Sequence, residues 1–169
     1  MEGITGATLH VVYHAIVKAL LFMCIGLVVR ATGKRLISEL GGLAKRMPLA
    51  AACTGVGALA IAGTPPLCIF DSEWMIFAGG FKSGPTWLAV ATLFGSLLTV
   101  AYALWFAGRI FFGQVRPELP PGRIERQLPW QMVAPTVLLA ALSLIEGLFP
   151  APLFAWVAQE VSLIMGGSL

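Results

Sequence analysis

Residues Ile61 to Trp74 read IAGTPPLCIFDSEW, and they lie in the middle of a hydrophobic segment. Two consecutive prolines, Pro65 and Pro66, and two carboxyl groups, Asp71 and Glu73, stand where a bilayer demands unbroken apolar helix. The prolines have no N–H to give the carbonyls of Ile61 and Ala62, four residues back, so a helix entering this stretch must stop or kink. Backbone loosened at membrane depth is tolerated only where protein buries it or where it lines a wet cavity. Ionisable groups at that depth face a partner or a pathway. The stretch therefore predicts a discontinuous membrane helix, broken near residues 64–71, that carries an ion site.

Composition sets the solvent. Of 169 residues 58% are hydrophobic and only 11% are charged, against roughly 25% charged in soluble domains. Mean hydropathy is +0.87. These values predict an integral membrane protein. The net charge of +3 does not point to nucleic acid, because the basic residues gather between apolar runs, as the positive-inside rule expects. Cys24, Cys53 and Cys68 sit within apolar segments at spacings that match neither a redox pair nor a zinc site. They read as small buried hydrophobes, with no metal site and no disulfide. The start MEGITGATLH lacks a basic n-region and is not a signal peptide.

Taken in order, the chain reads as a single membrane domain over residues 1–169. Expected crossings run over 4–29, 48–81 (the broken one), 86–108 and 128–149, each compatible with the roughly 20 helical residues a hydrocarbon core requires. The segment 48–81 is long for one straight crossing and short for two. Counting loops decides for one: only then do the basic loops 30–46 and 109–127 fall on the same, cytoplasmic side. Residues 151–165 are short for a span and predict a helix lying at the interface or packed along a partner. The predicted fold class is thus all-α, a polytopic bundle of about four transmembrane helices with a short C-terminal helix.

The first crossing carries His10, His14 and Lys18. A spacing of four puts successive members about 6 Å apart on one helix face. One buried histidine is explained by an interhelical hydrogen bond, but a basic column can hold and pass protons. After the break, Asp71 or Ser72 is an expected N-cap of the second half-helix, with Glu73 in its first turn. The alternative for Asp71 and Glu73 is a pair of interfacial caps beside an anchoring Trp74. Glu146, near the far end of the last crossing, reads as an interfacial residue.

Several ordered motifs resemble one family. They are His10-x-x-x-His14-Ala15-x-x-Lys18-Ala19-Leu20-Leu21-Phe22, Glu39-Leu40-Gly41-Gly42-Leu43 with Met47-Pro48, and Ala58-Leu59-Ala60-x-Ala62-Gly63-x-Pro65-Pro66-Leu67. Thr99-x-Ala101-Tyr102-x-Leu104-Trp105 with Arg109-x-Phe111-Phe112-Gly113 extends the series. Together they resemble the antiporter-like membrane subunits of respiratory complex I, of multisubunit sodium/proton antiporters and of energy-converting membrane-bound hydrogenases. The resemblance implies that Lys18 is the lysine of a central hydrophilic axis, with His10 and His14 beside it. It implies that Glu73 is the ionisable residue of the discontinuous helix, where protons exchange with the outer side. Ser72-Glu73-Trp74 looks more like the hydrogenase branches. Members of the family have about fourteen helices in two inverted repeats, and this chain resembles the last four. It departs from the family around the break, where it has Cys68 and Asp71.

The implied function is a proton- or sodium-translocating subunit of a redox-driven complex, at the cell (cytoplasmic) membrane. The proton/ion pathway would comprise His10, His14, Lys18, Glu73 and Asp71. The alternatives are a structural half-subunit that transports nothing and a module of a sodium/proton antiporter without redox chemistry. No stretch is suited to flavin, iron–sulfur or nicotinamide binding, so no cofactor and no catalytic redox site is expected in this chain. Expected partners are other membrane subunits, including one supplying the missing N-terminal helices, and peripheral redox subunits.

Overall fold

The computed structural model describes residues 1–116, residue 124 and residues 128–166. Among these, every regular element is helical. The helices are α1 (Glu2–Thr32), α2 (Pro48–Ile61), α3 (Cys68–Ser83), α4 (Thr86–Ala107), α5 (Trp130–Leu148) and α6 (Ala151–Ile164). Three helical stretches are long and apolar enough to cross a membrane: Glu2–Thr32, Thr86–Phe112 and Trp130–Leu148.

α1 is the axis of the bundle and packs against α2, α3, α5 and α6. At 1.5 Å per residue it is about 46 Å long, and Gly33 ends it in the left-handed conformation with its N–H on the Val29 carbonyl. Pro48 starts α2 at the first helical position, where a missing N–H costs nothing.

α2 and α3 lie one after the other along α1, and their contacts with it run in a single antiparallel register, as two halves of one interrupted helix would. Near the start of α1, a Cβ on Gly79 of α3 would lie 2.6 Å from Gly3 Cα, and His10 meets Ser72. Farther along, Leu20 and Leu21 lie against Gly57 of α2. Next Cys24 clusters with Cys53, and finally Leu27 and Val28 share a core with Met47 and Ala50. α4 then runs back along the same crossing, with Ala89 against Gly80 and Ser96 against Glu73.

The break occupies residues 62–67, between the end of α2 and the start of α3, and contains both prolines. One expectation fails here. α3 does not begin at Asp71 or Ser72 but at Cys68, after an extended Leu67 that provides no side-chain cap. Past Pro66 nothing prevents helix, and the core rewards an early start because Cys68 and Ile69 are both buried. Asp71 therefore lies in the first turn, and Glu73 lies beyond it.

The first basic loop and the described start of the second lie together at one end of the bundle. A Cβ on Gly41 would collide with the Gln114 carbonyl, so only glycine allows this backbone contact. The second loop begins later than the sequence suggested, because a π-helical turn, Gly108–Phe112, continues α4 past Arg109. Residues 117–123 and 125–127 of that expected loop, including Arg123 and Arg126, are outside the described residues. α6 packs on its own chain, with Val157 and Val161 in the core cluster of Leu9, Tyr13 and Val17. Its other side, with Trp156, Leu163 and Ile164, is exposed.

Candidate ion-transfer site

The site is built where α1, α3 and α4 meet beside the break. The four-residue spacing keeps His10, His14 and Lys18 on one face of α1. The His10 and His14 ring centroids are 5.7 Å apart, too far for a direct bond and suited to a bridging water.

His10 is fixed by α3. Its Nδ1 is 3.1 Å from Ser72 Oγ, and Ser72 Oγ donates to the Ile69 carbonyl at 2.8 Å. The single hydroxyl proton of Ser72 is thereby committed, so His10 Nδ1 donates and Ser72 Oγ accepts. Nε2 is left as the proton-accepting nitrogen of the ring.

Glu73 points toward α4. Ser96 Oγ donates to Glu73 Oε2 at 3.0 Å. On its other flank the carboxylate rests against the backbone of Gly63, whose φ of +63° belongs to the left-handed region. A Cβ on Gly63 would occupy the place of the carboxylate oxygen. Gly63 thus serves the turn by its backbone and the carboxylate by its lack of a side chain.

His10 and Glu73 line a common cavity of about 480 Å³ whose α4 wall carries Thr92, Ser96 and Thr99. Thr92 and Thr99 bond back to the carbonyls of Leu88 and Gly95, which leaves Ser96 as the hydroxyl that reaches the carboxylate. Lys18 lines the neighbouring cavity of about 370 Å³, with Tyr102 and Ala103 of α4 on its wall. Thr99 and Tyr102 are one turn apart, so Lys18 and Glu73 face the same side of the bundle. Two cavities thus lie along α4, one beside the lysine and one beside the carboxylate.

Asp71 is not part of this arrangement. Two residues of helix rotate a side chain by about 200°, and Asp71 lines a different cavity, with Tyr13 and Phe154. Sequence reasoning grouped the two carboxyls, whereas the fold separates them across α3. It missed Ser96 and Gly63. Ser96 had a signal, since Thr92, Ser96 and Thr99 recur at helical spacing in an apolar run.

Residues 1–99 match the family model described as NADH:quinone oxidoreductase/Mrp antiporter, transmembrane. The chain belongs to this family. The NADH:quinone oxidoreductase/Mrp antiporter domain thus covers α1, α2, α3 and the first half of α4, the elements that build the cavity of His10 and Glu73. Among relatives, the Na(+)/H(+) antiporter subunit A1 of Staphylococcus aureus (strain JH9) is 35% identical over 156 residues, covering 86% of this chain. The chain spans only 19% of that relative's length. The fold is shared with the Mrp complex from Dietzia sp. DQ12-45-1b, at a TM-score of 0.83, 23% identity and coverage of 94% of this chain and 37% of that one. The membrane-bound sulfane sulfur reductase, an archaeal respiratory membrane complex, gives a TM-score of 0.76 at 32% identity, covering 86% of this chain and 24% of that one. Family and helices together make this a membrane-embedded chain.

Proposed function

We propose that this chain forms part of an ion-translocating subunit of a multisubunit membrane complex, in which protons pass along Lys18, His14 and His10 to Glu73. Waters in the two cavities along α4 carry the proton between side chains. Glu73 acts as the terminal exchange group. Asp71, in its separate cavity, is left out of this path. The observation that carries the reading is that a proton-accepting histidine and a carboxyl group from two different helices line one cavity beside broken backbone.

The complex sits in the cytoplasmic membrane, with the two basic loops on the cytoplasmic side. Its partners are further membrane subunits, which supply protein cover for Lys18 and Glu73 where this chain leaves them partly open. Peripheral redox subunits drive it. A second reading, an antiporter module exchanging sodium for protons without redox chemistry, is favoured by the name of the 35% identical staphylococcal relative. Copurification of redox subunits with the tagged chain separates the two.

The test is ion transport by the assembled complex in sealed vesicles with Glu73→Gln and Lys18→Met. Both substitutions are expected to abolish transport while leaving assembly normal. Normal transport in both, at normal assembly, leaves only a structural role for this chain.

A further inference from the structure

We infer that the end of the bundle where Gly41 meets Gln114 carries a site for the phosphate of an anionic phospholipid, formed by Arg109 and Arg116. The inference goes beyond ion translocation and rests only on the embedding of the chain in a membrane.

The two arginines line one crevice of about 140 Å³, together with Leu40, Gly113 and Gln114. That is several times the roughly 30 Å³ that one water takes up in the liquid, and it is enough for a phosphate group. Backbone holds the crevice in shape. A Cβ on Gly41 would collide with the Gln114 carbonyl, and one on Gly42 would come within 3.0 Å of the Gly113 carbonyl oxygen.

Charge selects the ligand. Neither guanidinium is in an ion pair or a hydrogen bond among the described residues. Glu39, next to Leu40, is taken up by Lys34 at 3.2 Å. Residues 30–46 bring five further basic groups to this end, with Glu39 as the one acid of that segment. The positive-inside rule accounts for basic loops, but it does not require two guanidiniums in one crevice. The planar fork of arginine matches phosphate oxygens in pairs, and basic pockets between membrane helices take up anionic headgroups.

The surroundings point to a lipid as the source of the phosphate. Arg109 lies in the π-helical turn that ends a stretch able to cross a membrane, and such turns are frequent at functional sites. Trp105, four residues before it, and Phe112, three residues after it, are both exposed. Exposed aromatic rings collect at headgroup depth. Farther along α4, Phe94 and Leu98 are exposed at helical spacing from Trp105. They give acyl chains an apolar track that starts at the arginines.

The experiment uses the assembled complex in phosphatidylcholine vesicles, with phosphatidylglycerol that carries a photoreactive diazirine on its acyl chain. Labelled peptides are read by mass spectrometry against the same probe built on phosphatidylcholine. Residues 94–112 are expected to be labelled by the phosphatidylglycerol probe well above the phosphatidylcholine one. Arg109→Gln is expected to raise the lipid fraction for half-labelling about fivefold, and Arg109→Gln with Arg116→Gln about thirtyfold. Arg109→Lys with Arg116→Lys, which keeps the charge, is expected to stay closer to the unaltered protein. Equal labelling by the two probes, or no change in the glutamine pair, overturns the proposal. Loss of labelling when inorganic phosphate replaces chloride at equal ionic strength assigns the crevice to soluble phosphate and overturns the lipid. Should the glutamine pair fail to assemble, the comparison of the two probes on the unaltered complex still decides.

Discussion

The two faces of α3 make an instructive pair. Toward α4, Glu73 meets a hydroxyl donor and shares a cavity with a histidine from a column of three basic groups. Toward α6, Asp71 meets a cavity walled by Leu9, Tyr13, Trp74 and Phe154. Both carboxyls come from the same half-helix, two residues apart, and both sit beside the same break. What differs is the polar company: a serine hydroxyl and a histidine on one face, a mostly apolar wall on the other. A single turn of helix thus gives one carboxyl a hydrogen-bonded setting and the other an apolar one, and the two faces are expected to respond differently to substitution.

The largest contrast is expected between Glu73→Gln and Asp71→Asn in transport measurements on sealed vesicles. Loss of a proton-transfer group costs on the order of a hundredfold or more in rate. Glu73→Gln is therefore expected to stop proton movement. Asp71→Asn, outside the cavity of His10 and Glu73, is expected to leave most of the rate. Equal loss in both would erase the distinction between the faces.

A second contrast concerns glycines on either side of the break. Gly63→Ala forces a side chain into the left-handed region, at about 1–2 kcal/mol, and into the place of the Glu73 carboxylate. Gly55→Ala, inside α2 with nothing within 4 Å of its added Cβ, is expected to leave the protein unchanged or slightly more stable. Thermal unfolding of the detergent-solubilised complex together with transport checks the pair. Similar behaviour of the two variants would mean that Gly63 is an ordinary turn residue.

The smallest effect is expected at the open end of α1 and α3, where Lys82 Nζ pairs with Glu2 Oε2 at an exposed position. Lys82→Ala is expected to lower the melting temperature barely, and only at low salt, since exposed pairs contribute less than about 1 kcal/mol. A loss that persists in high salt would show that the ends of the two helices are held by this pair rather than by packing.

Much of this was legible in the sequence. The prolines announced the break, because a missing N–H is a local fact that no tertiary contact repairs. The column of His10, His14 and Lys18 was legible for the same reason, since spacing alone sets a helix face. The loop argument placed both basic segments at one end, and the contact of Gly41 with Gln114 agrees. The start of α3 was not legible. Local capping preferences favoured Asp71 and Ser72, while burial of Cys68 and Ile69, a tertiary effect, moved the N-cap to Leu67, four or five residues earlier. That shift settles which way Asp71 and Glu73 face, so a small error in register became a large one in chemistry. Gly63 beneath Glu73, Tyr13 beside the Asp71 cavity and Gly147 against the break all depend on residues far apart in the chain, which no local pattern brings together.

The glycines at the start of α1 have a mechanical consequence. Gly3 lies against Gly79, and a Cβ on Gly6 would lie 2.6 Å from Cβ of Met75, so α1 and α3 touch almost backbone to backbone. Small residues of this kind lock helices together at close range. α3 is in effect riveted to α1, whereas α4 meets α3 at Gly80 through the Cβ of Ala89 rather than backbone to backbone. The hydrogen bond of His10 to Ser72 therefore spans the tightest helix pair of the bundle.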